Sequence, residues 1–190
     1  MIHKNRTTKE TEITLALEIN GTGQSKIDTG IGFFDHMLQA LSRHSGIDME
    51  LSCKGDTHVD FHHSVEDVGI VLGEALHELL FPVGAIERYG NATIVMDEAA
   101  VSCDMDISNR PFLVCELFIS DKIGEFDTEL VEEFFRAIVF NAHLSVHIIQ
   151  LRGKNRHHIV EAAFKAFAVA LRRALLPNGR TKIPSTKGVL

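Results

Sequence analysis

One histidine-rich motif occurs twice in this sequence, and the repeat constrains the fold more than any other feature. The motif is His-His-x-x-Glu, present at 62–66 and again at 157–161. The copies start 95 residues apart, which is half the length of the 190-residue chain. Because a tandem duplication produces this spacing, we expect two similar halves, about 1–92 and 93–190, packed into a single domain.

Hydrophobic periodicity predicts a similar order of elements in both halves. In the first half, the pattern predicts strands at 13–19 and 47–53 and helices at 33–41 and 62–80. In the second half, it predicts strands at 99–107, 112–119 and 144–151 and helices at 130–140 and 157–175. Mixed strands and helices without a strict βαβ alternation indicate the α+β class.

The charge balance argues against nucleic-acid and membrane partners. The chain has 19 Lys and Arg residues against 26 Asp and Glu residues, a net charge of −7, and its basic runs do not exceed a pair. The segment 1–10 is too polar for a secretory signal, and no apolar stretch reaches 18 residues. Three widely spaced cysteines without Cys-x-x-Cys fit a reducing compartment. We therefore expect a cytoplasmic protein.

Histidine is unusually frequent, with 11 copies against one tyrosine and no tryptophan. Neutral imidazole is the commonest metal ligand in proteins. On a helix, residues four apart share a face, whereas adjacent residues point about 100° apart. His62 and Glu66 can therefore bind one metal ion, while His63 turns towards another. The second copy of the motif repeats this geometry.

A pseudo-twofold axis between the two helices predicts how the ligands combine. Each ion takes a His–Glu pair from one helix and the odd histidine from the other, which gives His62, Glu66 and His158 at one ion and His63, His157 and Glu161 at its twin. His36 and His147, which we place at loosely corresponding positions in the two halves, are candidates for the fourth ligands. Three imidazoles and one carboxylate suit manganese or iron(II) better than structural zinc. The spacing leaves open which molecule supplies each helix.

The histidines outside the proposed ligand sets, and Asp67, are assigned structural roles and not metal binding. A single His-His-x-x-Glu is weak support for metal binding, but core packing does not require the same three polar residues twice. Asp67 is interpreted as a helix-start charge, and His3 as part of a mobile terminus. The composition of the tail, 177–190, predicts a frayed end. Surface or hydrogen-bonded positions are expected for His44, His58, His77 and His143.

The sequence around both motifs resembles the imidazoleglycerol-phosphate dehydratase family of histidine biosynthesis. The matching signatures are Asp-Phe-His-His-Ser-Val-Glu-Asp at 60–67 and Gly-Lys-Asn-Arg-His-His-Ile-Val-Glu-Ala-Ala-Phe-Lys at 153–165. The likeness spans nearly the whole chain, with further matching segments at 8–11, 30–38, 88–90, 109–112 and 183–188. Phe61 departs from a common Asp and Asn109 from a usual Gly, and both departures concern only local loop shape.

The resemblance implies a fold, an assembly and two metal sites. Each half would be a four-stranded sheet with two helices, the helices would lie between the two sheets, and 24 subunits would assemble from trimers with metal sites between subunits. Two Mn²⁺ ions per active site are implied, and other first-row divalent metals are possible. The implied ligands are His36, His63, His157 and Glu161 for one ion and His62, Glu66, His147 and His158 for the other.

The resemblance also implies a hydro-lyase that removes water from D-erythro-imidazoleglycerol phosphate to give imidazoleacetol phosphate. The departing proton sits on a carbon without a neighbouring carbonyl, so the imidazole ring must accept the electrons, with the metal as Lewis acid and template. Glu10 and Glu161 are the candidates for moving the proton, and the sequence does not rank them. The resemblance implies that the substrate and its phosphate contact Glu10, Arg88, Arg110, Lys165, Ser185 and Lys187. Because Ser185 and Lys187 lie in the tail, we expect the tail to be a mobile lid that folds over bound substrate.

Two other functions fit the motifs. One is a metal-dependent hydrolase whose dinuclear site activates water, which would not require an imidazole in the substrate. The other is a metal-storage or metal-sensing oligomer without chemistry. Lys165, one turn beyond Glu161, and the other basic residues favour an anionic organic ligand instead.

Overall fold

The computed structural model of the protein describes residues 1–179, 184–188 and 190. Parts of the predicted mobile tail, at 180–183 and 189, therefore lie outside the described residues, and Ile183 of the matching segment 183–188 is among them. At the described start of the tail, Pro177 bridges Ile86, and the Asn178 N–H donates to the carbonyl of Ala85. The mobile tail over 177–190 stays a prediction.

The first half is a four-stranded sheet with two helices. Its elements are β1 (Ile2–Thr7), β2 (Thr11–Glu18), β3 (Ser25–Asp28), α1 (Gly32–Ser45), β4 (Asp48–Gly55) and α2 (His62–Leu80). The strand order is β1-β2-β4-β3, antiparallel except for the parallel β3–β4 pair. The alternating Ile13, Leu15 and Leu17 on β2 are buried, as their period of two predicts.

The second half repeats this topology. Its elements are β5 (Tyr89–Met96), β6 (Ala99–Asp106), β7 (Phe112–Glu116), a short hairpin of β8 (Lys122–Ile123) and β9 (Phe126–Asp127), α3 (Glu129–Asn141), β10 (Ser145–Arg152) and α4 (Arg156–Ala174). The strand order β5-β6-β10-β7 has the same directions as the first sheet. The predicted duplication within an α+β fold is therefore confirmed, and the β8–β9 hairpin is an insertion in the second copy.

The helices lie between the two sheets, where α1 packs on α4 and α2 packs on α3. Five phenylalanines fill this layer and are almost completely buried: Phe34, Phe134, Phe135, Phe164 and Phe167. Helix α4 lies so close to β5 that a Cβ at Gly90 would collide with the backbone oxygen of Ala170. The packing of α1 on α4 brings the N-terminal parts of these two helices together, where the candidate active site lies.

In the two four-stranded sheets, the periodicity did not predict three strands: β1, β3 and β5. All three are edge strands, and an edge strand is exposed along one side, so it carries fewer apolar residues than a central strand. The expectation that His3 belongs to a mobile terminus is wrong, because His3 on β1 pairs with Ala16 on β2. The second sheet begins at Tyr89, slightly before the predicted division at 92/93.

Two further properties of the described chain bear on its class. Each helix within the described ranges falls short of the combined length and apolarity needed to cross a membrane.

The three cysteines all lie in described ranges and are free. Burial raises the pKa of the Cys53 thiol to about 11 and that of Cys115 to about 12, so these side chains remain protonated and are poor metal ligands.

Candidate active site

Both copies of the repeated motif begin in the first turn of a long helix and extend into its second turn. Helix α4 begins with an N-cap, Asn155, whose side-chain oxygen accepts hydrogen bonds from the backbone N–H groups of His157 and His158 at 3.0 and 3.4 Å. Before α2, the Asp60 carboxylate accepts a hydrogen bond from the N–H of His62 at 2.8 Å. These local contacts set the start of each helix and hence the direction of each histidine pair.

His36, His157 and Glu161 form the strongest metal-binding arrangement in the described part of the chain. Their ligand atoms all lie within 4.8 Å of one another. The Glu161 Oε2 atom is 3.0 Å from His157 Nε2 and 3.4 Å from His36 Nε2. His157 and Glu161 are one turn apart on α4, as their spacing predicts, and α1 contributes His36. Two imidazoles and a carboxylate fit a first-row divalent ion.

Glu161 is an unusual carboxylate because it is only 6% exposed. Burial raises the pKa of Glu161. The hydrogen bond and charge of Lys165, 2.7 Å away, and the hydrogen bond with His157 together outweigh this effect, so the net pKa is below the ordinary value. Glu161 is therefore a buried anion beside two imidazoles. Such a group suits ion binding better than it suits proton transfer.

His62 and Glu66 form the second predicted pair, on a more exposed surface. Their Nε2 and Oε2 atoms are 3.6 Å apart, which agrees with the shared helix face. His147 lies on the exposed face of β10, with its ring 6.2 Å from that of Phe112. Within the described residues, His63 stays outside the cluster of His36, and no third ligand joins the His62 pair. One chain therefore assembles only part of each predicted ligand set.

The correspondence expected between His36 and His147 is wrong. His36 lies on α1, whose counterpart in the second half is α3, whereas His147 lies on β10, whose counterpart is β4. The duplication relates the two motifs to each other but does not relate these additional histidines.

Carboxylates that the motifs did not indicate surround His63. Its Nδ1 atom is 3.0 Å from an oxygen of Asp56, and its Nε2 atom is 3.7 Å from Glu10 Oε1. The hydrogen bond with Asp56 is the main reason that the pKa of His63 is raised, and the charge of Glu10 adds to it.

His158 has a matching environment in the second half. Its Nδ1 atom is 2.8 Å from Glu98 Oε2, and its Nε2 atom is 3.8 Å from Asp97 Oδ2. The hydrogen bond with Glu98 raises the pKa of His158. His158 and the backbone N–H groups of Asn155 and Lys154 hold the pKa of Glu98 at about 2. Because Asp97 and Glu98 belong to the β5–β6 turn, far from the motif in sequence, only the tertiary fold identifies them.

The interpretation of Asp67 as a helix-start charge is incomplete, because its carboxylate also connects α2 to β1 and β2. Asp67 is 7% exposed and binds Arg6 on β1 and the Thr11 hydroxyl on β2. The Thr8 hydroxyl accepts hydrogen bonds from the N–H groups of Glu10 and Thr11. This network fixes the β1–β2 turn and so places Glu10 beside His63.

A second group of predicted residues lines one cavity of about 600 Å³, namely Arg88, Arg110, Ser185 and Lys187. Arg88 is only 7% exposed, and Asp106 accepts hydrogen bonds from its Nε and Nη2 atoms at 2.7 and 3.0 Å. Its Nη1 atom donates to the carbonyl of Pro184 at 2.8 Å. Lys165 lies instead beside Glu161. The cavity presents several cations, which suits an anionic group.

The Asn109 departure has a structural explanation. Its φ of +54° is in the left-handed region, which Gly adopts freely and Asn tolerates better than most residues. The Asn109 side-chain oxygen also lies 3.3 Å from His77 Nε2 and 3.0 Å from His143 Nδ1. His77 and His143 are therefore hydrogen-bonded, as expected from the sequence.

Solved structures share this fold. The crystal structure of imidazoleglycerol-phosphate dehydratase from Staphylococcus aureus matches with a TM-score of 0.82 and 43% identity over 93% of this chain and 98% of that chain. The Pyrococcus furiosus enzyme, solved in complex with (S)-C348, matches with a TM-score of 0.85 and 41% identity over 98% of this chain and 100% of its own.

Sequence comparisons agree with the structural ones. The family model of imidazoleglycerol-phosphate dehydratase matches residues 29–171. Proteins of that name from Sulfurimonas denitrificans and Aliarcobacter butzleri are 66% and 65% identical over 190 residues, covering 100% of both chains in each case. The full-length identity, the family match and the shared fold together establish that the chain belongs to the imidazoleglycerol-phosphate dehydratase family.

Proposed function

We propose that the protein catalyses the manganese-dependent elimination of water from D-erythro-imidazoleglycerol phosphate, giving imidazoleacetol phosphate in cytoplasmic L-histidine biosynthesis. Family membership already makes it a hydro-lyase. The observation that supports the metal dependence and the anionic substrate is the convergence of His36, His157 and Glu161 beside Lys165. This donor set fits a first-row divalent ion.

The proposed ligand sets combine residues of different subunits. One chain supplies His36, His157 and Glu161, and another supplies His63; the second ion takes His62 and Glu66 with His147 and His158. The incomplete sets within the described chain support this sharing. The proposed assembly is a homo-oligomer of 24 subunits built from trimers. When bound, the ions supply Lewis-acid stabilisation for the negative charge that develops on the substrate's imidazole ring.

Glu10 is the better candidate for moving the carbon-bound proton. Its side chain is 52% exposed, and its Oε1 atom lies 3.7 Å from His63 Nε2, so it faces the proposed substrate space. Glu161 is buried and held by Lys165 and His157. We assign proton transfer to Glu10 and ion binding to Glu161, because a general base needs access to the substrate.

The substrate phosphate is proposed to bind in the cavity that Arg88, Arg110, Ser185 and Lys187 line. The two hydrogen bonds with Asp106 orient the Arg88 side chain, and the Pro184 carbonyl connects it to the tail segment 184–188. Closure of this segment over the phosphate would exclude water from the reaction. Lys165 is proposed to contact the substrate from the Glu161 side.

The decisive experiment incubates purified, manganese-loaded protein with imidazoleglycerol phosphate and measures imidazoleacetol phosphate. We expect product formation that depends on the metal. A metal-dependent hydrolase would also act on substrates without an imidazole, and a metal-storage oligomer would bind ions without turnover. Failure to form product at every metal loading would overturn the proposal.

Replacing Arg88 by Lys is expected to raise the KM for the substrate about tenfold to a hundredfold, because charge-assisted hydrogen bonds contribute about 1.5–3 kcal/mol. Lysine keeps the charge but cannot bind Asp106 and a phosphate with one planar fork. Inhibition by inorganic phosphate should weaken in parallel. Arg136→Lys, at an exposed arginine of α3, is the control. An unchanged KM with only a lower melting temperature would assign Arg88 to the scaffold.

A further inference from the structure

The second histidine of each motif shares one feature that the repeat did not predict. His63 Nδ1 lies 3.2 and 3.0 Å from the two oxygens of Asp56, and His158 Nδ1 lies 2.8 Å from Glu98 Oε2. The two carboxylates come from unrelated places, since Asp56 follows β4 and Glu98 belongs to the β5–β6 turn. The same chemical contact has therefore arisen in both halves from different elements.

A carboxylate on Nδ1 determines which ring nitrogen carries the proton. An ionised carboxylate only accepts hydrogen bonds, so Nδ1 must donate, and in the neutral imidazole Nε2 then carries an unprotonated lone pair. Such partners commonly hold metal-binding histidines in orientation. In His63 and His158 this lone pair is on Nε2, whose nearest carboxylates, Glu10 at 3.7 Å and Asp97 at 3.8 Å, lie beyond hydrogen-bond distance.

We infer that Asp56 and Glu98 are positioning residues that keep His63 and His158 in the tautomer and orientation needed to bind the two metal ions. This inference rests on the metal sites of the proposed function. Neither carboxylate belongs to the ligand sets, and each acts only through its histidine.

The two carboxylates differ in a way that sharpens the test. Glu98 Oε1 accepts hydrogen bonds from the backbone N–H groups of Lys154 and Asn155 at 3.1 and 2.7 Å, so only Oε2 faces His158. Glu98→Gln keeps its oxygen on these N–H groups and turns its amide nitrogen towards Nδ1. That nitrogen donates, so Nδ1 must accept, and the proton moves to Nε2, where it blocks the ion. An amide at position 56 can rotate and present its oxygen, since both Asp56 oxygens lie near Nδ1.

The experiment measures Mn²⁺ binding to the assembled, full-length protein without substrate, using electron paramagnetic resonance to count free ions. Glu98→Gln is expected to weaken one of the two ions about tenfold to a hundredfold and to leave the other unchanged. Asp56→Asn should change the affinity for either ion little. Asp56→Ala should weaken the ion that His63 is proposed to bind, which is not the ion affected by Glu98→Gln. Glu98→Ala should cost less than Glu98→Gln, because it leaves the tautomer free. Glu12→Gln, at an exposed carboxylate of β2, is the matched control.

The order of the variants separates positioning from a purely structural role. If Glu98 served only the backbone N–H groups, Glu98→Ala would be worse than Glu98→Gln, and the inference would be overturned. Since Glu98→Ala also removes two backbone hydrogen bonds, the comparison of Glu98→Gln with Asp56→Asn tests the inference independently, and equal affinities would contradict it. A wild-type protein that binds no divalent ion would refute the metal sites of the proposed function as well.

Discussion

Replacing Glu161 by Gln is expected to lower turnover by orders of magnitude and to weaken the metal ion that His36 and His157 are proposed to share. The substitution keeps the shape of the side chain but removes the negative charge that faces both imidazoles at 3.0 and 3.4 Å. Because the two ions are proposed to act on one imidazole ring, the loss of either should stop the reaction. Metal counting beside rate measurement tests this expectation.

Glu66→Gln provides the matched comparison, because it removes the same charge from the more exposed pair with His62. We expect a similar loss of turnover but at the other ion. Only Glu161→Gln should also reduce the free energy of unfolding, by about 1–3 kcal/mol, since it leaves the part-buried Lys165 without its anionic partner. Near-normal turnover with one ion missing would contradict the paired-site mechanism.

Removing the metal is expected to break the proposed 24-subunit particle into smaller species such as trimers. One chain brings together His36, His157 and Glu161 but not His63, so ions held by ligands of several subunits would stabilise the assembled state by mass action. Chelation at mildly acidic pH, where histidines also protonate, should therefore lower the particle mass measured by light scattering.

The control for this experiment is the same chelator saturated with manganese, which should leave the particle intact. Adding manganese back after dialysis should restore the original mass. A particle that keeps the mass of 24 subunits without detectable metal would mean that the ions are dispensable for assembly, and the shared ligand sets would lose their main support.

Features that depend on local spacing could be predicted from the sequence. The His–Glu pairs four residues apart lie on one face of α2 and α4 because the helical repeat alone brings them together. The central strands β2, β4, β6 and β10 were predicted because burial on one face imposes a period of two. The edge strands β1 and β5 also alternate in burial, but several of their inward positions hold residues such as Lys4, Arg6 and Gly90 in place of large apolar side chains, so their sequences carry a weaker signal. Strand β3 is only four residues long.

The choice of partners between distant segments was decided only by the tertiary structure. His36 reaches Glu161 because α1 packs on α4, and no spacing in the sequence indicates that contact. Glu98 meets His158 because the β5–β6 turn approaches the start of α4. Periodicity describes which face of an element is buried, whereas the identity of the element opposite depends on the packing of the whole chain. The repeated motif thus determined the ligand pairs, and the fold determined what completes them.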